Sequence, residues 1–348
     1  MKLVKTLKLA AVAVATSFVA LSASAQDNTL QGAGSTFINP LFSKMFSEYK
    51  AAKVNYQSIG SGGGIAQLTA KTVDFGDSDA PLNDDQTAKV GGAAAVLHIP
   101  MASGAVVVTY NIPGVTGALN LTGKDLADIY LGKVTNWNSA EIKATNKGVN
   151  LPDLPIVVIH RSDGSGTSFI FTDFLTKVNP DWSSKVGKAS APNWPAGLGG
   201  KGSEGVAGLV KQTPGAIGYV ELAYAIQNKM PYASIQNKSG KFIPPTLAAT
   251  TLASNVTIPA DTKVSVTNTD NPAGYPIASF TWAIIYKEQN YGGRSKERAS
   301  DLLKLLWWNI HQGQTYCEAL TYAPLSKAAV KAAETVLKSA TYGGKAIL

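Results

Sequence analysis

Cysteine is nearly missing from this sequence. Cys317 is the only one in 348 residues, which excludes an internal disulfide framework and a cysteine-based metal site. Histidine is almost as scarce: His98, His160 and His311 lie far apart and form no HExxH pattern, so no zinc enzyme is indicated and no metal is expected. Charged residues make up 16% of the chain, without the clustered basic runs and interleaved aromatics of nucleic-acid binders. No G-x-S-x-G elbow occurs. Beyond the N-terminus there is no stretch of about 18 apolar residues.

What is present begins with the leader. Lys2, Lys5 and Lys8 form a positive start, residues 9–20 are largely apolar, and Ala23-Ser24-Ala25 offers small residues for cleavage. This is the pattern of a secretory signal peptide over residues 1–25, so a periplasmic protein starting at Gln26 is expected. Losing three lysines takes the formal charge from +8 to +5, a mild excess compatible with an anionic ligand.

The remaining length predicts two domains with ample core, since 45% of the chain is hydrophobic. Residues 54–59, 73–74, 104–110, 155–159, 216–220 and 280–286 read as short strands rich in β-branched or aromatic side chains. Helical spacing lies between them. Ile38, Leu41, Met45 and Tyr49 share a face, as do Phe171, Leu175 and Val178, then Leu302, Leu306 and Ile310. The alternation predicts α/β architecture. Residues 251–274 carry the weakest pattern.

Three glycine-rich loops precede helices. In Gly32-Ala33-Gly34-Ser35-Thr36-Phe37, Ser35 or Thr36 can cap the following helix, leaving the N–H groups of Thr36 and Phe37 for an anion. Ser58-Ile59-Gly60-Ser61-Gly62-Gly63-Gly64 presents Ser61 among glycines that permit close backbone approach, before a helix starting near Ile65. His160-Arg161-Ser162-Asp163-Gly164-Ser165-Gly166-Thr167 brings a guanidinium, hydroxyls and helix N–H groups into one turn. There Arg161 is the natural anion clamp, and Asp163 can orient it while also capping.

Asp74, Asp77 and Asp79 lie close together, but the EF-hand spacing does not follow. One carboxylate among donors has a different use: it repels a fully deprotonated anion and accepts a hydrogen bond from a protonated one, separating phosphate from sulfate. Gly199-Gly200-Lys201-Gly202 lacks the Gly and Ser/Thr of a Walker A loop. Donors for an anion are plentiful, whereas Ser61 and Ser165 have no histidine placed to activate them, so a phosphatase is the less favoured reading. A receptor for another oxyanion, or an exported scaffold, stays open at this point.

Together these segments resemble the periplasmic phosphate-binding proteins of high-affinity phosphate ABC transporters (PstS type). The resemblance is carried by Gly32–Phe37, Val54–Gln57 into Ile59–Ser61, Val73–Gly76 with Ser78–Pro81, Asp128–Gly132, Asp163–Ser168, Gly197–Gly202 and Pro214–Glu221. It implies a two-lobed type II binding protein, with a ligand cleft between two open sheets flanked by helices. Lobe 1 would be residues 26–105 plus 279–348, and lobe 2 residues 106–278. The resemblance implies a site of Thr36, Phe37, Ser61, Asp79, Arg161, Ser165, Gly166 and Thr167, with Asp163 supporting Arg161. It implies no catalysis and no cofactor. The partners it implies are inorganic phosphate and the membrane permease subunits, with no nucleic acid and a monomeric receptor. Three positions depart from the pattern: Gly62 where a serine is expected, His160 where a basic residue is common, and Asp77, an added carboxylate expected to point to solvent.

Overall fold

The computed structural model describes residues 29–115 and 117–348; the expected leader, residues 1–25, lies outside the described residues. Among the described residues the first strands are β1 (Leu30–Gly34), β2 (Val54–Ser58), β3 (Phe75–Ser78), β4 (Val96–Tyr110) and β5 (Asn120–Leu121). Then come β6 (Val157–Arg161), β7 (Leu198–Gly200), β8 (Ala216–Glu221), β9 (Ser234–Gln236) and β10 (Phe242–Ile243). The last are β11 (Ala278–Tyr286), β12 (Thr341–Tyr342) and β13 (Lys345–Ala346). Eight of these hydrogen-bond in the order β2-β1-β3-β11-β4-β8-β6-β7, with helices against the sheet.

The two sheets expected from the sequence are thus joined through a shared strand. Val96–Pro100 and Ala102–Ala105 of β4 pair antiparallel with β11, and Val106–Tyr110 pair antiparallel with β8. Only Leu97 of β4 is not buried, and all nine residues of β11 are, as befits strands covered on both faces. The outer pairs, β1 with β2 and β3 on one side and β6 with β7 and β8 on the other, are parallel. Their β-to-helix loops therefore open toward the same region between the two sides.

Several boundaries differ from the sequence reading. The strand expected at residues 73–74 begins at Phe75, and the one expected at 104–110 begins at Val96. Pro100 hides that long strand, because a proline cannot donate to a ladder; here it sits where the β4–β11 register shifts at Thr281/Trp282. The helix expected near Ile65 starts at Ser61. The weakly patterned stretch contains the end of a helix, Leu247–Ser254, and then irregular chain that buries Val266 and Thr267.

Candidate functional site

At the C-terminal end of β1 the chain turns through Ser35, Thr36 and Phe37 into the helix Asn39–Glu48. Neither expected residue caps this helix: its N-cap is Ile38, with no side-chain bond. Ser35 instead uses its hydroxyl oxygen to accept the Phe37 N–H at 3.0 Å, and donates its proton to Asp79 Oδ2 at 2.6 Å. Phe37 is fully buried, with its ring edge-on to Tyr322.

The second loop starts its helix at Ser61. Ser61 Oγ accepts the N–H of Gly166 at 3.0 Å, a bond between the β1 side and the β6 side of the sheet. Beside it the Gly62 N–H donates to the Gly164 carbonyl at 2.8 Å. The two backbones meet so closely that a Cβ on Gly62 would lie 3.0 Å from Gly164 Cα. The departure at Gly62 thus has a steric side: a serine there would require the Gly164 backbone to give by a few tenths of an ångström.

On the β6 side, Arg161 ends its strand fully enclosed. Its Nε and Nη2 donate to Asp163 at 2.8 and 2.6 Å, and Nη1 approaches Thr167 Oγ1 at 3.5 Å. Asp163 does not cap the helix Gly166–Val178. Ser165 does, accepting the Ser168 N–H, while Asp163 accepts the N–H of Gly202. Burial alone would raise the Asp163 pKa, but the hydrogen bonds and charge of Arg161 hold it below the usual value. The Arg161 backbone N–H donates to the Tyr219 hydroxyl, and Tyr219 stacks on Phe171 at 4.5 Å, so the strand end that carries the cation is fixed by a packed aromatic pair.

Asp79 is buried at the junction of these loops. Its Oδ1 accepts from Thr281 at 2.8 Å and its Oδ2 from Ser35. Burial pushes its pKa up to about 6, held from rising further by the Ser35 and Thr281 hydroxyls and by Arg161. It is therefore ionised near neutrality and acts as an acceptor.

All eight residues named from the sequence are buried. Ser61, Asp79 and Gly166 come together directly, and Arg161 and Thr167 adjoin across their own turn. Thr36 reaches the other side differently: its Oγ1 lies 2.8 Å from Ser203 Oγ, and its carbonyl accepts from Tyr224. Asp77 does not point to solvent. It is fully buried, because its strand is covered on both faces, and it shares the Thr281 hydroxyl with Asp79. Sequence reasoning gave no role to Thr281, Ser203 or Tyr224, and gave Ser35 only that of a helix cap. A threonine inside the apolar run of β11 was the one available signal.

A fold of two such sides, closing glycine loops around a buried cation and acid, defines a solute-binding protein. Residues 20–305 match the model of a PBP superfamily domain. The chain is 43% identical over 312 residues to the phosphate-binding protein PstS of Xylella fastidiosa (strain 9a5c), covering 88% of this chain and 84% of that one. With the PstS of Pasteurella multocida it shares 38% over 322 residues, 90% and 91% of the two chains. Among solved structures it resembles a high-affinity periplasmic phosphate-binding protein, PfluDING, bound with phosphate (TM-score 0.70, 21% identity, 87% and 92% covered). It also resembles a phosphate-binding protein from Stenotrophomonas maltophilia (TM-score 0.66, 20% identity, 87% and 92% covered). This chain belongs to the PstS family of phosphate-binding proteins.

Proposed function

We propose that the protein captures inorganic phosphate outside the cytoplasm and delivers it to an ABC-type import permease, as a binding protein and not an enzyme. Residues 26–105 with 279–348 form one lobe and residues 106–278 the other, and hinge closure traps the anion between them. The observation that carries this reading is the Ser61–Gly166 bond, which brings Asp79 and the Arg161 turn to one enclosed point.

In this reading Arg161 supplies the positive charge, held in place by Asp163. Backbone N–H groups at Thr36 and Thr167 donate to phosphate oxygens with the hydroxyls of Thr36, Ser61, Ser165 and Thr167, while the N–H groups of Phe37 and Gly166, held by Ser35 and Ser61 without ligand, turn to the anion when it enters. Asp79 accepts from the oxygen that carries the phosphate proton. Sulfate has no such proton and meets an unpaired negative charge. Hydrogen bonds to a charged group contribute roughly 1.5–3 kcal/mol each, and micromolar affinity requires about 8 kcal/mol, so a cage of about ten leaves room for desolvation and closure. The receptor acts as a monomer exported by cleavage after Ala25.

Calorimetric titration of phosphate-stripped mature protein tests this. Tight one-to-one binding of phosphate with no sulfate binding is expected. Equal binding of sulfate would retire the role of Asp79, and no binding of either would retire the receptor reading.

A further inference from the structure

Thr281 Oγ1 stands between two buried carboxylates, 3.0 Å from Asp77 Oδ1 and 2.8 Å from Asp79 Oδ1. A hydroxyl has one hydrogen, and an ionised carboxylate only accepts. If both acids were ionised, one of these two contacts would hold no proton. A proton on one of the carboxyl groups resolves this.

The surroundings decide which. Asp79 has what an anion needs: the Ser35 hydroxyl on its Oδ2, Ser61 nearby, and the charge of Arg161 from β6. The direction of the Ser35 proton is fixed, because the Ser35 oxygen already accepts the Phe37 N–H. Among the described residues the Asp77 side chain has Thr281 alone, and its Oδ2 is buried without a partner. The titratable and charged groups acting on this pair are Asp79 itself from beyond β3, Tyr56 from β2, Arg161 from β6, Glu221 from β8 and Tyr322 from the segment before the last helix. Among the described residues Arg161 acts on Asp79, and no cation acts on Asp77.

We propose that Asp77 is a neutral carboxylic acid that donates its proton to Thr281 Oγ1, so that the Thr281 hydrogen is aimed at Asp79 and Asp79 is held as an acceptor-only anion. Asp77 is then a positioning residue for phosphate recognition. The chain of donation runs from Asp77 Oδ1–H to Thr281 Oγ1–H to Asp79 Oδ1. It adds no second negative charge beside the ligand. Burial, and then the nearby Asp79 charge, push the Asp77 pKa well above its usual value, in agreement with the geometry. The inference rests on the phosphate reading for its functional half only; the protonation of Asp77 holds in the protein by itself.

The test has two parts. Full mature protein labelled with ¹³C in the aspartate carboxyls is examined by infrared difference spectroscopy at about pH 8 without ligand. A protonated-carboxyl C=O band from aspartate is expected, lost in Asp77→Asn; its absence from the parent protein overturns the assignment, whatever the variants do. Phosphate titrations then compare Asp77→Val with Asp77→Asn. Valine removes the donor and is expected to weaken phosphate about fivefold or more, while asparagine keeps an N–H toward Thr281 and restores affinity to within about threefold. Asparagine as harmful as valine, or valine without effect, overturns the positioning role. Failure of the parent protein to bind phosphate, with the band present, counts against the phosphate reading and leaves the neutral Asp77 standing.

Discussion

The guanidinium of Arg161 is clasped by Asp163 through two hydrogen bonds, Nε to Oδ1 at 2.8 Å and Nη2 to Oδ2 at 2.6 Å. The same carboxylate accepts the Gly202 N–H, so the clamp is tied to the next loop as well. Arg161→Ala is expected to weaken phosphate binding tenfold or more, as follows from losing a charged group worth at least about 2 kcal/mol. Arg161→Lys should lose most of that as well, because an ammonium cannot satisfy the fork. Titration calorimetry reads both, and an unchanged affinity in the alanine variant removes Arg161 from the site.

Gly166 offers a steric test. A Cβ there would lie 2.6 Å from Asp79 N, Asp79 Oδ2 and Ser61 Oγ. Its backbone is not in the left-handed region, so alanine is tolerated by the chain itself and clashes only with the opposing loops. Gly166→Ala is expected to keep its circular dichroism spectrum while phosphate affinity falls about tenfold or more, because the loops are held apart. Wild-type affinity in a folded variant would mean that these loops need not meet when the anion binds.

Asp79→Asn makes two predictions. Its amide offers a donor where the carboxylate repelled, so sulfate is expected to bind measurably while phosphate weakens. The second concerns stability without ligand. Burial raises the carboxyl from about 4 to about 6, so the stability it contributes is present below about pH 4 and lost as pH rises through about 6. At about pH 8 that penalty is of order 3 kcal/mol, and asparagine does not bear it. The variant's melting temperature, relative to the parent, should therefore rise by a few degrees between about pH 4 and about pH 8. A constant difference across that range contradicts the buried-acid description.

The Thr36–Ser203 contact joins two elements 167 residues apart in sequence, and Ser203 also donates its N–H to Thr36 Oγ1 at 3.1 Å. Ser203→Ala removes one hydroxyl from this latch. A loss of about 1 kcal/mol, roughly fivefold, is expected, expressed mainly as faster phosphate release. Stopped-flow dissociation measures it, and an unchanged release rate would show that the latch does not hold the closed form.

The sequence was legible where local chemistry repeats. Glycine beside a hydroxyl before a helix marked all three loops, and Arg161 with Asp163 two residues on could be paired from spacing alone. Helical faces such as Leu302, Leu306 and Ile310 are buried in the structure as their periodicity implies. What local pattern could not carry was anything set by distant pairing. Thr281 reads as one more β-former in an apolar run, and only its place opposite β3 turns it into a partner for two acids. Asp77 was misread for the same reason: an aspartate beside a turn is usually solvated, yet here β1 and β11 flank it on both sides. The first half of β4 went unread as well: it carries Pro100, which a register shift absorbs so that the strand continues.

The handover along β4 has a consequence for how the molecule is made. One strand, changing partner between Ala105 and Val106, supplies the middle of the sheet on both sides. A chain ending at residue 105 would lack β11, which completes the first side only after the whole second side has been synthesised. Until then β3 and β4 present bare edges, the kind of surface on which nascent chains aggregate. The second side has all its strands once β8 ends at Glu221, whereas the first is closed only when β11 arrives, so the side synthesised first is the one finished last.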